Sequence, residues 1–328
     1  YKGASMSGLS LLKDRKFWPL FWTQFLGALN DNYLKNAIVM LITFKAVELW
    51  GFETQSLVAL ASGIFILPFF LFSSLAGQLA DKYEKSFLVV CTKVVELGIM
   101  VAAYYGFATQ NIYLLMSVLF ISGTHTTFYS PIKFSILPDH LQSGELLAGN
   151  GFMSGGSYLA VLLGLIAGGL LVELPGNVIG HAAVAIAVVG LIASIFIPKS
   201  HIAHPHARIN FNLFTGNKDI ILYASRDRGM LYNIFAVSWL MLVSSVYISQ
   251  FANYAQVVVR ANNEVYILFL TLFSIGIAAG SLLCDTLLKG EISPKLTPFA
   301  ALGISLFSYL MVFSTPAPTH EGLLDVAA

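Results

Sequence analysis

The chain has 328 residues and a net charge of +1, with 57% hydrophobic and only 11% charged residues. A water-soluble domain needs about 25% charged residues to cover its surface, so this composition excludes an ordinary soluble enzyme, a nucleic-acid binder and a disordered chain. It points to an all-α polytopic membrane protein.

A helix needs about 20 mostly apolar residues to cross about 30 Å of hydrocarbon. About nine stretches qualify: 17–44, 56–79, 86–107, 110–129, 146–172, 177–197, 231–255, 263–286 and 296–314. None alternates as a barrel strand would. Residues 1–5 read as a vector remnant before a start at Met6. No short apolar run with a small-residue cleavage site opens the chain, so the first span is expected to be retained.

Basic residues sort by side. Lys2, Lys13, Arg15, Lys16, Lys82, Lys85, Lys133, Lys199, Arg208, Lys218, Arg226, Arg228, Lys289 and Lys295 fall on one side, 14 of the 18. The other side has Lys45 and Arg260, while Lys35 and Lys93 lie within spans. By the positive-inside rule the N-terminus is cytoplasmic.

The first span carries Asn30, Asp31, Asn32, Lys35 and Asn36. Ionisable groups at this depth are expensive and face a cavity or a partner. Asp31 and Lys35 are four residues apart and can pair on one helix face. Two readings stand: a pair that tethers helices, or a polar spot in a central cavity where Asp31 binds a cation or proton and Lys35 meets a phosphate. The second span is rich in Phe, with Phe65, Phe69, Phe70 and Phe72. They face lipid, or wall a path for an acyl tail.

In the third span Lys93 and Glu96 repeat the charge-pair pattern at i,i+3; Lys93 either joins that pattern or snorkels to the membrane edge, and Glu96 is the deeper cavity candidate. His125, in the fourth span, is read as a packing residue or a cavity group. Pro131 is expected to end or kink that span. Lys133 follows it, and either contacts lipid phosphate or marks the cytoplasmic boundary. In the fifth span Gly156, Ala160, Gly164 and Gly168 form a small-residue face for close helix packing; Gly276 and Gly280 suggest the same in the eighth. Ser244, Ser245, Tyr247 and Gln250 bring polar groups into the seventh span.

These elements give residues 1–198 as a six-helix bundle, 199–230 as a cytoplasmic linker and 231–328 as a partial second bundle. His201, His204 and His206 in the linker lack a carboxylate or cysteine to complete a metal set. Six spans, a loop and more spans is the plan of a transporter with two six-helix halves. Only three spans and the start of a fourth, at 322–328, appear in the second half, so about three more are expected beyond residue 328. Gly77-Gln78-Leu79-Ala80-Asp81 and Gly280-Ser281-Leu282-Leu283-Cys284-Asp285 end the second and eighth spans and repeat weakly between the halves.

Residues 77–86, Gly-Gln-Leu-Ala-Asp-Lys-Tyr-Glu-Lys-Ser, resemble the loop signature of the major facilitator superfamily at Gly77, Leu79, Asp81, Lys82 and Lys85. Glu84 stands in place of the family's Gly, and Ser86 in place of a basic residue. The resemblance implies a gating latch at Gly77, Asp81, Lys82 and Lys85 that joins the halves on the cytoplasmic side. Within the superfamily, three stretches are similar to the bacterial lysophospholipid transporter group: Gln24 to Asn32, Tyr129 to Pro138, and Leu147 to Gly151. That group includes the transporter part of fused acyltransferase/acyl-ACP ligase proteins.

The resemblance implies inward movement of lysophospholipids across the bacterial inner membrane by alternating access, supplying re-acylation. Substrate contacts are expected at Asn30, Asp31, Asn32, Lys35, Lys93, Glu96, His125 and Tyr247. No cofactor is expected, with coupling by sodium or proton open. The partners are the lysophospholipid, membrane lipid and an acyltransferase/acyl-ACP ligase, and no nucleic acid. A non-transporting scaffold for that acyltransferase, or an exporter of another small amphiphile or ion, is the alternative. An enzyme is not expected. The sequence has no Walker A, H-E-x-x-H or G-x-S-x-G motif, and the H-x4-D spacing of His320 and Asp325 is read as chance.

Overall fold

The computed structural model describes residues 11–44, 54–171, 174–202, 209–254, 258–259, 263–288 and 296–314. Among these the structure is helical, without strands. Six helices form the first series: α1 (Trp18–Phe44), α2 (Thr54–Lys82), α3 (Lys85–Ala108), α4 (Ile112–Ser135), α5 (Leu146–Leu171) and α6 (Gly176–Ile195). A helical turn, Leu137–His140, joins α4 to α5. Then follow α7 (Leu213–Arg226), α8 (Arg228–Asn253), α9 (Asn263–Leu288) and α10 (Thr297–Ser314). Lys2, Lys45, Arg208, Arg260, Lys289, Lys295, His204, His206, the His320–Asp325 spacing and the expected span start at 322–328 lie outside the described residues.

Among the described residues, α2 to α6 are long and apolar enough to cross a membrane. Helix α1 has the length but carries the polar group Asn30 to Asn36. Helices α8, α9 and α10 hold shorter apolar runs, Arg228–Ser244, Leu268–Ile277 and Thr297–Phe313.

The chain divides into two compact units, Tyr1–Ile221 and Leu222–Ala328. The division falls in the segment read as a linker, which carries α7 rather than only irregular chain. In α7, Leu213, Ile221 and Ala224 share a face away from Lys218, Asp219 and Arg226, the pattern of an amphipathic helix. In the second unit α8 packs on α9. Its helices expose large apolar side chains, such as Phe235, Trp239, Phe299 and Phe307.

In the first unit α1 runs along α5 and α6, α2 along α4, and α3 along α6 and α4. The small-residue face of α5 makes the first contact possible. A Cβ at Gly164 would lie 2.5 Å from the Leu29 carbonyl oxygen, and one at Gly168 2.7 Å from that of Tyr33. Real side chains do not fit there, so the α1 and α5 backbones touch. Gly123 of α4 meets the Phe65 carbonyl of α2 in the same manner, and Gly180 of α6 meets Tyr104 of α3. Among the described residues no atom lies within 4 Å of a Cβ at Gly276 or Gly280.

Helix α4 runs past its expected end at residue 129. It continues through Pro131 to Ser135. Proline's fixed φ suits a helix, and its cost is one missing N–H, which membrane helices tolerate. Caps set the other boundaries. Asn111 accepts from the Leu114 amide at 3.1 Å to start α4. Before it Gln110 has φ 53°, a left-handed conformation that closes the tight α3–α4 turn.

Candidate substrate site

Helix α1 presents a different polar group to each neighbour. Tyr33 donates its hydroxyl to the Ile179 carbonyl of α6 at 2.8 Å, and Asn36 donates to the Leu165 carbonyl of α5 at 2.6 Å. Asn32 bonds back to the Ala28 carbonyl of its own helix at 2.8 Å, against Gly164 of α5. It therefore sits at a helix interface. These ties fix the rotation of α1, which decides where its charged residues point.

On one side lies a buried charge cluster. The Lys93 ammonium is 2.6 Å from Glu96 Oε2, and both side chains are only 1% exposed. Asn30 Nδ2 donates to Glu96 Oε1 and to the Ala183 carbonyl, each at 3.3 Å. Lys93 Nζ lies 5.3 Å from the centre of the Tyr129 ring. His125, also buried, stacks parallel on Tyr129, and its Nε2 stands 3.9 Å from Glu96 Oε2, beyond hydrogen-bond reach. The Lys93 ammonium fits because residue 27 is glycine; a Cβ there would lie 2.5 Å from Nζ. Lys93 thus does not snorkel. Glu96, three residues on, offers a partner inside the bundle, and a paired interior ammonium replaces a solvated one.

On another side Asp31 and Lys35 do not pair with each other. The Asp31 carboxylate accepts from Thr126 Oγ1 at 2.9 Å and Ser122 Oγ at 3.4 Å, both on α4. Lys35 Nζ rests 5.7 Å from the centre of the Phe65 ring of α2. Among the described residues it has no carboxylate within 4.0 Å. The two α4 hydroxyls carry no periodic signal in the sequence apart from their spacing of four. The site therefore offers a half-satisfied carboxylate and, one turn away, an ammonium free to meet an anion. Tyr247, the expected contact of the second unit, bonds to Ser308 of α10. The side chains of Ser245 and Gln250 lie outside the described residues.

The sequence profile of the Major Facilitator Superfamily matches residues 9–327. The chain belongs to the Major Facilitator Superfamily. It is therefore a multi-pass membrane protein of a transporter family and not an enzyme. It is 28% identical over 198 residues to a protein of Serratia proteamaculans named lysophospholipid transporter LplT, covering 60% of this chain and 46% of that one. Proteins of the same name from Escherichia fergusonii (31% over 183 residues) and Yersinia enterocolitica (29% over 189) match 56% and 57% of the chain, and 43% and 44% of their own lengths. The chain thus spans less than half the length of these relatives. Among solved structures, the peptide transporter POT in complex with alafosfalin aligns with a TM-score of 0.46 and 17% identity, over 79% of this chain and 57% of that one.

The superfamily's loop signature occupies the α2–α3 connection. Asp81 is exposed, and no described atom lies within 4 Å of a Cβ at Gly77. Lys82 sits 5.9 Å from the Tyr83 ring centre. Lys85 is buried, with an ion pair to Asp139 at 2.9 Å and a bond to the Ser135 carbonyl at 2.8 Å. Glu84, the departure from the family's Gly, caps α3 with φ −64° and ψ 122°, a conformation that needs no glycine. Its carboxylate accepts from the Phe87 amide at 2.7 Å, and from the Ser200 amide and hydroxyl at 2.6 and 2.8 Å. Partial burial raises the Glu84 carboxyl, but hydrogen bonds from Ser200, Phe87 and Ser86 outweigh this and hold it at about 2. The connection therefore ties the start of α3 to the ends of α4 and α6.

Proposed function

We propose that this chain moves lysophospholipids inward across the bacterial inner membrane by alternating access, with its N-terminus in the cytoplasm. The observation that carries the reading is the separation of Asp31 from Lys35. A lysophospholipid head has a phosphate and often an amine. Among the described residues Lys35 has no carboxylate partner, and it can meet the phosphate. Asp31, held by two hydroxyls, keeps lone pairs for the head-group amine or for a coupling sodium ion or proton. The partly buried Phe65 beneath Lys35 offers an apolar wall to the tail, while Phe70 is exposed and suits contact with lipid. The names of the relatives favour the same substrate.

Glu96, Lys93 and His125 act behind the site and not in it, because they are buried around Asn30. The exposed Asp81 is available to the opposite half as a latch, and the product would supply re-acylation by an acyltransferase/acyl-ACP ligase. Uptake of labelled lysophosphatidylethanolamine by cells expressing matched levels of each variant tests the reading. Lys35→Ala should raise KM at least about tenfold, the loss of roughly 1.5–3 kcal/mol expected for a charged hydrogen bond. Asp31→Asn should abolish uptake. Normal transport by both variants would place the site elsewhere.

A further inference from the structure

The polar groups of α4 that hold Asp31 continue along the same helix face. Ser122 and Thr126, which hold the carboxylate, are followed at the same helical spacing by Ser130 and then Lys133. Lys133 is partly buried and has no carboxylate within 4.0 Å among the described residues. Its ammonium sits 5.1 Å from the centre of the Phe134 ring. Seven residues separate it from Thr126, about 10 Å along the helix. Lys35 lies four residues beyond Asp31 in the opposite direction, about 6 Å away along α1. Two cations with no acid partner among the described residues thus flank Asp31 at different depths, and hydroxyls line the way to the second.

We infer that Lys133 is a second phosphate station, which receives the lipid head group at the cytoplasmic end of the Ser122–Thr126–Ser130 stripe before release. This rests on the transport reading above. Lys35 would take the phosphate on entry and Lys133 would draw it onward, so the two residues serve different kinetic steps. An ammonium that merely marked the membrane edge would be free to extend to water, and substituting it would leave both steps alone.

The test is uptake kinetics of labelled lysophosphatidylethanolamine in proteoliposomes, for the wild type and Lys133→Arg, Lys133→Gln and Lys133→Glu, with thermal unfolding of each in detergent. Lys133→Gln should lower kcat about tenfold while KM changes less than about twofold. Lys133→Arg should keep at least half of the wild-type kcat, and Lys133→Glu should fall below Lys133→Gln. Unfolding temperatures should stay together, since no ion pair is lost. Wild-type kinetics in Lys133→Gln would overturn the station while leaving the Lys35 site intact. Equal losses in Arg, Gln and Glu would overturn it too, as a packing effect. A wild type that moves no lysophospholipid would overturn both the station and the transport reading.

Discussion

Replacing Lys93 with Met leaves the Glu96 carboxylate in a bundle interior where it is 1% exposed, with only the Asn30 amide, among the described residues, still donating to it. Removing one member of a buried ion pair typically costs about 3–5 kcal/mol, because the remaining charge keeps its desolvation penalty without its partner. Glu96→Gln has the converse effect: it strands the Lys93 ammonium between Gly27 and the Tyr129 ring. The double variant Lys93→Met/Glu96→Gln removes both charges, and the new amide oxygen can still accept from Asn30. Its expected stability is within about 1 kcal/mol of the wild type, since apolar or neutral replacements of buried pairs are often neutral. Denaturant unfolding of the purified protein in detergent would give the cycle. Each single variant should lose about 3 kcal/mol or more, and the double should recover most of that. A double variant as unstable as the sum of the singles would refute the pairing. Lysophospholipid transport restored in the double would place the pair behind the site, whereas transport lost in all three variants would put it in contact with the substrate.

Gly164→Leu should force α1 and α5 apart, since even a Cβ would lie 2.5 Å from the Leu29 carbonyl oxygen. The expected loss is about 1–3 kcal/mol in unfolding free energy, with reduced transport. Glu84 has a folded pKa depressed from 4.5 to about 2. Its contribution to stability is therefore present above about pH 4.5 and is lost as the pH falls toward 2. Unfolding temperatures between pH 6 and pH 3 should show that slope in the wild type and lack it in Glu84→Gln. Gln110→Gly should raise stability by up to about 1 kcal/mol, read by the same unfolding assay, because glycine adopts the left-handed turn at φ 53° without a Cβ clash.

Much of the fold was legible because hydrocarbon imposes a simple rule: a spanning segment must be apolar, long and helical. The nine expected stretches coincide with the helices α1 to α6 and α8 to α10 to within a few residues, and among the described residues α2 to α6 are long and apolar enough to cross a membrane. The exception is the end of α4, which the sequence places at residue 129 and the structure at Ser135, since proline's geometry suits a helix. The spacing of Gly156, Ala160, Gly164 and Gly168 announced a packing face, and the structure supplies α1 as its partner. Pairing of charges was harder to read. Asp31 and Lys35 have the spacing of a pair, yet Asp31 turns to Ser122 and Thr126, ninety and more residues away. Spacing within a helix says which side chains can meet, not which neighbouring helix outbids them. For Lys93 the i,i+3 spacing to Glu96 is legible, but its depth also allows snorkelling, and nothing in α3 reveals the notch that Gly27 opens in α1.

The most direct measurement of the central claim is uptake of labelled lysophosphatidylethanolamine by proteoliposomes, comparing protein-free vesicles, wild type, Lys35→Ala and Asp31→Asn. The account predicts saturable uptake by the wild type, at least about tenfold weaker apparent affinity in Lys35→Ala and none above protein-free vesicles in Asp31→Asn, with both variants folded. Saturable uptake that is equal in all three proteins would contradict it.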